Sequence, residues 1–307
     1  MLKNFLPKEF YEKCLEANLR PDYRKYNEYR NINLSGGSIT CANGSSLIKI
    51  GNTIVTCGVQ AKLNPFDKIN PYEIKIEEIF NIRVHIPAIC HLQFKNDMIL
   101  SDYILYLRQF VIEAFESSNI IDYKDFLTMK EKYIWEIICD IMCINDDGNL
   151  QDALLLSLVA ALKNTKIPII NETTVSTKEN IVNTDENMII ENANNQNFNT
   201  DNKKEDISKN VNFNIPDDCP TQNLILKSAP ISVTFVYFDK QIIVDPTSQE
   251  EQLATGKISI ILSDSQNVIW FYKTGSTPLN ETTRKECIQM AKQHFEAMSE
   301  KLENMEI

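Results

Sequence analysis

The chain has 307 residues, 43% of them apolar and 24% charged, with a formal charge of −11, enough for a substantial core in one large domain or two small ones. The longest apolar run, 153–162, is broken by Ser157 and falls well short of the ~20 residues a bilayer span needs, so no membrane partner is expected. The first nine residues also lack the apolar block of a secretory signal, which points to a protein that works inside the cell.

In chain order, the spacing predicts a helix over 7–18, with Pro7 at its first turn, Phe10, Cys14 and Ala17 on one stripe, and Arg20-Pro21-Asp22 ending it. Alternating Ile, Val and Thr around the Asn43-Gly44 and Gly51-Asn52 turns predict a meander of strands at 38–42, 45–50 and 53–62. A strand or hairpin over 72–86, a helix over 99–118 and a strand over 133–145 follow. Asp146-Asp147-Gly148-Asn149 then reads as a turn into a buried helix over 150–163.

Residues 171–218 differ in composition, with ten acids against four lysines, many Asn and no Gly. Such a segment buries too little apolar surface to offset its ordering entropy and reads as a disordered insertion. Beyond it, strands are predicted at 231–238, 241–244, 257–262 and 268–273, with turns at Asp245-Pro246-Thr247 and Asp264-Ser265-Gln266-Asn267. The last helix, 280–303, places Ile288, Ala291, Phe295, Met298 and Leu302 on one face and His294 on the polar side. Strands followed by a helix, twice over, make an α+β layout of sheets backed by helices. The division is 1–170 for a first half with its N-terminal helix, 171–222 for the insertion, and 223–307 for a second half with its C-terminal helix.

Signatures of common enzyme classes are absent: no Gly-x-Gly-x-x-Gly, no phosphate-binding Gly-x-x-x-x-Gly-Lys, no Gly-x-Ser-x-Gly and no His-Glu-x-x-His. The eight cysteines include no Cys-x-x-Cys pair and read as reduced thiols, and the three histidines, His85, His91 and His294, have no partner at metal-ligand spacing. No metal or cofactor is expected. Asp245, Glu250 and Glu251 form an acidic cluster that could hold a cation or supply a general acid; the plainer reading is an Asx turn followed by solvated glutamates. Arg20, Arg24, Lys25 and Arg30, interleaved with Tyr23, Tyr26 and Tyr29, fit either an RNA-gripping strip or a protein-contact arm. Bulk charge argues against RNA affinity in the isolated chain, because excluding the insertion still leaves −11 + 6 = −5.

Several ordered motifs then become specific. Arg20-Pro21-Asp22, Glu28-Tyr29-Arg30, Gly37-Ser38-Ile39, the run from Ala42 to Thr53 and Val55-Thr56-Cys57-Gly58-Val59 together resemble the opening of the RNase PH family. Asp147-Gly148-Asn149-Leu150-Gln151-Asp152-Ala153, Ala160-Ala161-Leu162, Val244-Asp245-Pro246-Thr247, Glu250-Glu251 and Leu253-Ala254-Thr255-Gly256 are similar to the non-catalytic branch that builds the eukaryotic RNA exosome ring. The resemblance covers nearly all of the chain except the Asn-rich insertion. It implies an RNase PH fold with two halves of the ribosomal protein S5 domain 2-like type, packed into a six-membered ring around an RNA channel.

In the phosphorolytic members an arginine in a Gly-Gly-Thr-Arg-type turn holds phosphate and an aspartate serves as general acid. The matching positions here are Gln151 and Lys257, so the resemblance implies a chain inactive in phosphorolysis that contributes interfaces and channel wall to 3′-to-5′ RNA processing and decay. Implied partners are other RNase PH-like ring subunits, cap subunits with an S1-type domain, and single-stranded RNA. Implied locations are nucleus, nucleolus and cytoplasm. Lys95 and Arg108 are the candidate RNA-channel residues. Two alternatives stand beside this reading: a phosphate-dependent 3′-to-5′ exoribonuclease using Glu250 or Glu251 as acid, and a free-standing RNA-binding protein.

Overall fold

The structure, a computed structural model, describes residues 7–16, 19–65, 76–90, 97–121, 126–128, 133–169, 219–238, 241–263, 267–276 and 278–305. Helix α1 (Pro7–Glu16) and an irregular stretch, 19–31, precede strand β1 (Ile32–Gly36). Strands β2 (Gly44–Ile50) and β3 (Thr53–Pro65) form a hairpin about Gly51-Asn52, where Ile50 faces Thr53 and Gly51 takes the φ of +59° that so tight a turn favours. A helical turn, α2 (Ile76–Ile79), leads into β4 (Phe80–His85). Helix α3 (Asp97–Ser118) then supplies the crossover that the parallel pairing of β4 with β6 (Tyr133–Asn145) requires. The sheet order is β1-β2-β3-β6-β4, and β5 (Leu127–Thr128) pairs with β6 at Tyr133 and Ile134, before β4 begins.

The period-two pattern of β6 turns Ile137, Cys139, Ile141 and Cys143 to one face, where none is exposed to solvent. Across the ladder, Val59 meets Cys139, Cys57 meets Ile141 and Val55 meets Cys143, so the thiols are core packing, and all eight cysteines are free. Helix α4 (Leu150–Lys163) lies against β2 and β3 on one side and, from the second half, β9 (Ile231–Phe238) on the other. Covered from both sides, it is buried without a break from Leu150 to Leu162. All eight residues of β9 are buried, with α4 and the C-terminal helix α6 (Glu281–Glu303) both packing on it. The second sheet is antiparallel, β10-β9-β11-β12, with β10 (Gln241–Val244), β11 (Gly256–Leu262) and β12 (Val268–Gly275). One continuous apolar cluster runs through both halves.

Five local expectations change. The first strand is Ile32–Gly36; Ser38 to Ala42 form a loop after Gly37, whose φ of +68° turns the chain, and Ile39 is tied to Ser45 Oγ. The expected strand or hairpin at 72–86 is α2 followed by β4, its residues 72–75 lying outside those described. A helix the sequence reading lacks, α5 (Ser248–Leu253), follows the Asp245 turn behind a Thr247–Glu250 capping box. Strand β7 (Lys166–Pro168) pairs with β8 (Thr221–Asn223), so Thr221 and Gln222 belong to a strand rather than to the insertion. Finally, His294 lies on the buried face of α6, not the polar one, in a stripe that also takes in Cys287 while Ile288 is half-buried.

Candidate functional site

The seam between the halves is built on backbone that ordinary side chains disfavour. Gly148 (φ +83°), Asn149 (φ +57°) and Asp245 (φ +47°) are all left-handed. A Cβ on Gly148 would stand 2.4 Å from Ser248 N and from Thr247 C, so only glycine lets the turn before α4 reach the loop before α5. Ser248 N donates to Asp147 O across this contact at 3.0 Å.

Into it point the arginines of the 19–31 stretch. Arg30 donates to Asp245 through its backbone N (2.8 Å), Nε (2.9 Å) and Nη2 (2.8 Å), and also to the carbonyls of Asp147 and Gly148. Arg24 Nη1 and Asn149 Nδ2 donate to the same carboxylate at 3.1 and 2.7 Å. Burial pushes the Asp245 carboxyl up, but the bonds and charge of Arg30 outweigh it and hold the pKa at about 2. Arg20, fully buried, is bidentate on Glu250 and donates to Val244 O and Asp245 O. The arginines are therefore neither an RNA strip nor a protein-contact arm, because they face inward and fasten the N-terminal stretch to the second half. Asp245 and Glu250 are likewise not solvated: each is 1% exposed and engaged by arginine. Among the described residues no group of three or more potential metal ligands occurs.

Gln151 and Lys257, twinned in the sequence argument, meet here around the start of α4. Gln151 is buried, donating Nε2 to Tyr106 Oη at 2.7 Å and accepting from Ser259 Oγ at 3.3 Å. Ser259 Oγ lies 3.0 Å from Thr234 Oγ1, which donates to Asp152 at 2.8 Å, so a row of adjoining polar groups crosses the core from Tyr106 to Asp152, with the Ser259 proton shared between Gln151 and Thr234. Lys257 Nζ bonds Glu251 Oε1 at 2.8 Å, and the same oxygen accepts the Asn149 N–H at 3.1 Å. Glu251 and Lys257 border an open cleft of about 380 Å³ with Tyr103, Tyr106, Thr255 and Thr274 on its walls, while Gln151 lies buried behind Tyr106. The N-terminus of a helix attracts anions; in this chain a resident carboxylate already takes a backbone N–H there, and a lysine neutralises that carboxylate.

The two channel candidates are not brought to this place. Arg108 is exposed on α3, with Nε donating to Ile82 O at 2.8 Å, and Lys95 lies outside the described residues. His85 is exposed, 4.0 Å from Asp140, and His91 is outside the described residues. Sequence reasoning passed over Tyr106, whose partner Gln151 is 45 residues away, and Asp152, whose only local signal is a carboxylate inside an apolar run.

The sequence profile of the 3′ exoribonuclease family, domain 1, matches residues 28–168, and that of domain 2 matches residues 228–294. The exosome complex component rrp43 of Schizosaccharomyces pombe is 26% identical over 296 residues, which span 96% of this chain and 94% of that protein. The exosome complex component Rrp42 of Methanosarcina mazei is 24% identical over 287 residues, 93% of this chain and 89% of its own. In fold, the chain is similar to one in the Archaeoglobus fulgidus exosome with RNA bound to the active site, at a TM-score of 0.70, 21% identity and 96% coverage of both. It is also similar to rice Rrp46, at a TM-score of 0.54 and 14% identity over 92% of this chain and 98% of that one.

Proposed function

This chain belongs to the 3′ exoribonuclease family in both of its domains, and on that premise we propose that it is a non-catalytic ring subunit of an RNA exosome, in the manner of the rrp43 component it resembles. It supports 3′-to-5′ RNA processing and decay by supplying interfaces and channel wall to neighbouring RNase PH-like subunits and S1-domain caps, while the nuclease is another chain. The same reading puts it in nucleus, nucleolus and cytoplasm and keeps Lys95 and Arg108 as the residues facing single-stranded RNA.

One observation carries the non-catalytic part. At the start of α4, Glu251 accepts the Asn149 N–H and is neutralised by Lys257, while Gln151 supplies no charge. Phosphate entering there would meet a carboxylate, and phosphoryl chemistry depends on neutralising the developing negative charge. The nearby arginines Arg20, Arg24 and Arg30 are already engaged by Glu250 and Asp245. Of the two acids the exoribonuclease alternative could use, Glu250 is buried beneath Arg20 and cannot reach a substrate, which leaves Glu251, paired with Lys257 at the cleft.

The test is phosphate-dependent release of nucleoside diphosphates from single-stranded RNA by the chain assembled with its ring partners. Glu251→Gln and Lys257→Ala are expected to leave the rate unchanged. A fall of tenfold or more in either variant, with the assembly intact, would make this chain a phosphorolytic enzyme.

A further inference from the structure

A small, partly enclosed cavity lies where the 19–31 stretch, the start of α4, β9 and α6 converge. It has room for the centre of a single water molecule, about 10 Å³, and its walls include Tyr29, Asn149, Asp152, Ser232 and His294. Three buried atoms on those walls, Tyr29 Oη, Asn149 Oδ1 and Ser232 Oγ, make no hydrogen bond to any described residue. Each belongs to a different element, and each is anchored by other contacts. The Tyr29 ring stacks on His294 with centroids 3.5 Å apart, the Asn149 amide is oriented by donating Nδ2 to Asp245, and Ser232 sits in the fully buried β9.

We propose that this cavity is a built site for one water molecule that joins the two halves of the fold. The four polar groups match the bonding capacity of water. The hydroxyls of Tyr29 and Ser232 carry protons to give, whereas Asn149 Oδ1 and the Asp152 carboxylate only accept. Water takes two protons and donates two, so every group is satisfied. Asp152 retains that capacity because the bonds from Thr234 N (2.9 Å) and Thr234 Oγ1 (2.8 Å) use only part of its lone-pair sites. A monovalent cation is the poorer occupant: it would accept no proton, leaving both hydroxyls with nothing to donate to except Asp152. Leaving three polar atoms unpaired costs more than immobilising one water molecule. The bound water extends the row of polar groups from Tyr106 through Asp152 to Tyr29, and so ties the N-terminal stretch to both halves.

The test is a high-resolution experimental structure of the full chain, with the number of long-lived internal waters counted by ¹⁷O magnetic relaxation dispersion in the wild type and in Tyr29→Phe and Ser232→Ala. A solvent peak within roughly 2.6–3.2 Å of Tyr29 Oη, Asn149 Oδ1 and Ser232 Oγ, together with one fewer long-lived water in either variant, is the expected result. Three outcomes would overturn the proposal: the three atoms paired directly with one another, a cavity without density, or an anomalous signal at the site after soaking with rubidium ions. If neither variant folds, the wild-type density decides alone.

Discussion

Asp152 and His294 face the same cavity, and burial displaces their pKa values in opposite senses. Burial lifts the Asp152 carboxyl from 3.8 to about 6 against the pull of its hydrogen bonds from Thr234, with Asp245 adding to the rise; burial lowers His294 from 6.5 to about 4. Because the folded pKa of Asp152 exceeds the unfolded one, its ionised form burdens the fold at neutral pH, and stability returns as pH falls from about 6 to 4. The folded pKa of His294 lies below the unfolded one, so its contribution is complete above 6.5 and is lost as pH falls towards 4. Each effect is about 3 kcal/mol, and in the wild type they nearly cancel across that window. Urea unfolding at a series of pH values should therefore show His294→Gln gaining stability on acidification relative to wild type, and Asp152→Asn losing it. Parallel profiles for all three proteins would refute the assignment. At the seam, Arg20→Met leaves Glu250 buried without its partner and should cost about 3–5 kcal/mol, with much of that recovered when Glu250→Gln is added; a double-mutant cycle in urea measures the coupling. Little of this was legible locally. Arg20 meets Glu250 across 230 positions, so a local pattern of basic and aromatic residues could only suggest outward roles. His294 lies on the buried face against its polar character, because Cys287, Ala291, His294 and Met298 keep the four-and-three spacing of a buried helical stripe.

At the scale of elements, the pieces with strong periodicity were legible and those set by their neighbours were not. Strands β9 and β10 keep the bounds read from sequence, because a run of Ile, Val and Phe flanked by turns admits few other structures. The same is true of α4, whose apolar run, interrupted only by Ser157 between Ala153 and Leu162, reads as a helix covered on all sides. Strand β1 is weakly signalled because only Ile32 and Leu34 carry its alternation and Asn33 and Gly36 disfavour strands, so β-structure there depends on pairing with β2. Helix α5 is too short for periodicity to register, and its one local signal is the Thr247-x-x-Glu250 capping box. The turn before α4 was legible as a turn, but its contact with the second half was not. Gly148→Ala should therefore cost more than about 2 kcal/mol, combining left-handed strain with a backbone clash. Gly37→Ala provides the comparison: it is also left-handed, but its Cβ would find nothing nearer than 4.0 Å, so its cost should be the strain alone, about 1–2 kcal/mol. Equal losses in the two variants, measured by thermal or urea unfolding, would contradict the close approach at Gly148.

At the scale of the whole molecule, the ordered motifs carried the fold and family, while the seam that makes one body of the two halves needed three-dimensional placement. The chain leaves β7 and returns to β8 through neighbours, with Ile169 N bonded to Pro220 O at 2.8 Å. The central claim is that this chain works as one member of a mixed ring rather than as an enzyme in its own right. The measurement that tests it most directly is affinity purification of the tagged full-length chain from its native cells, followed by native mass determination. The account predicts a stable assembly whose mass is the sum of several different chains, other RNase PH-like subunits among them; recovery of the chain alone, or only with copies of itself, would contradict it.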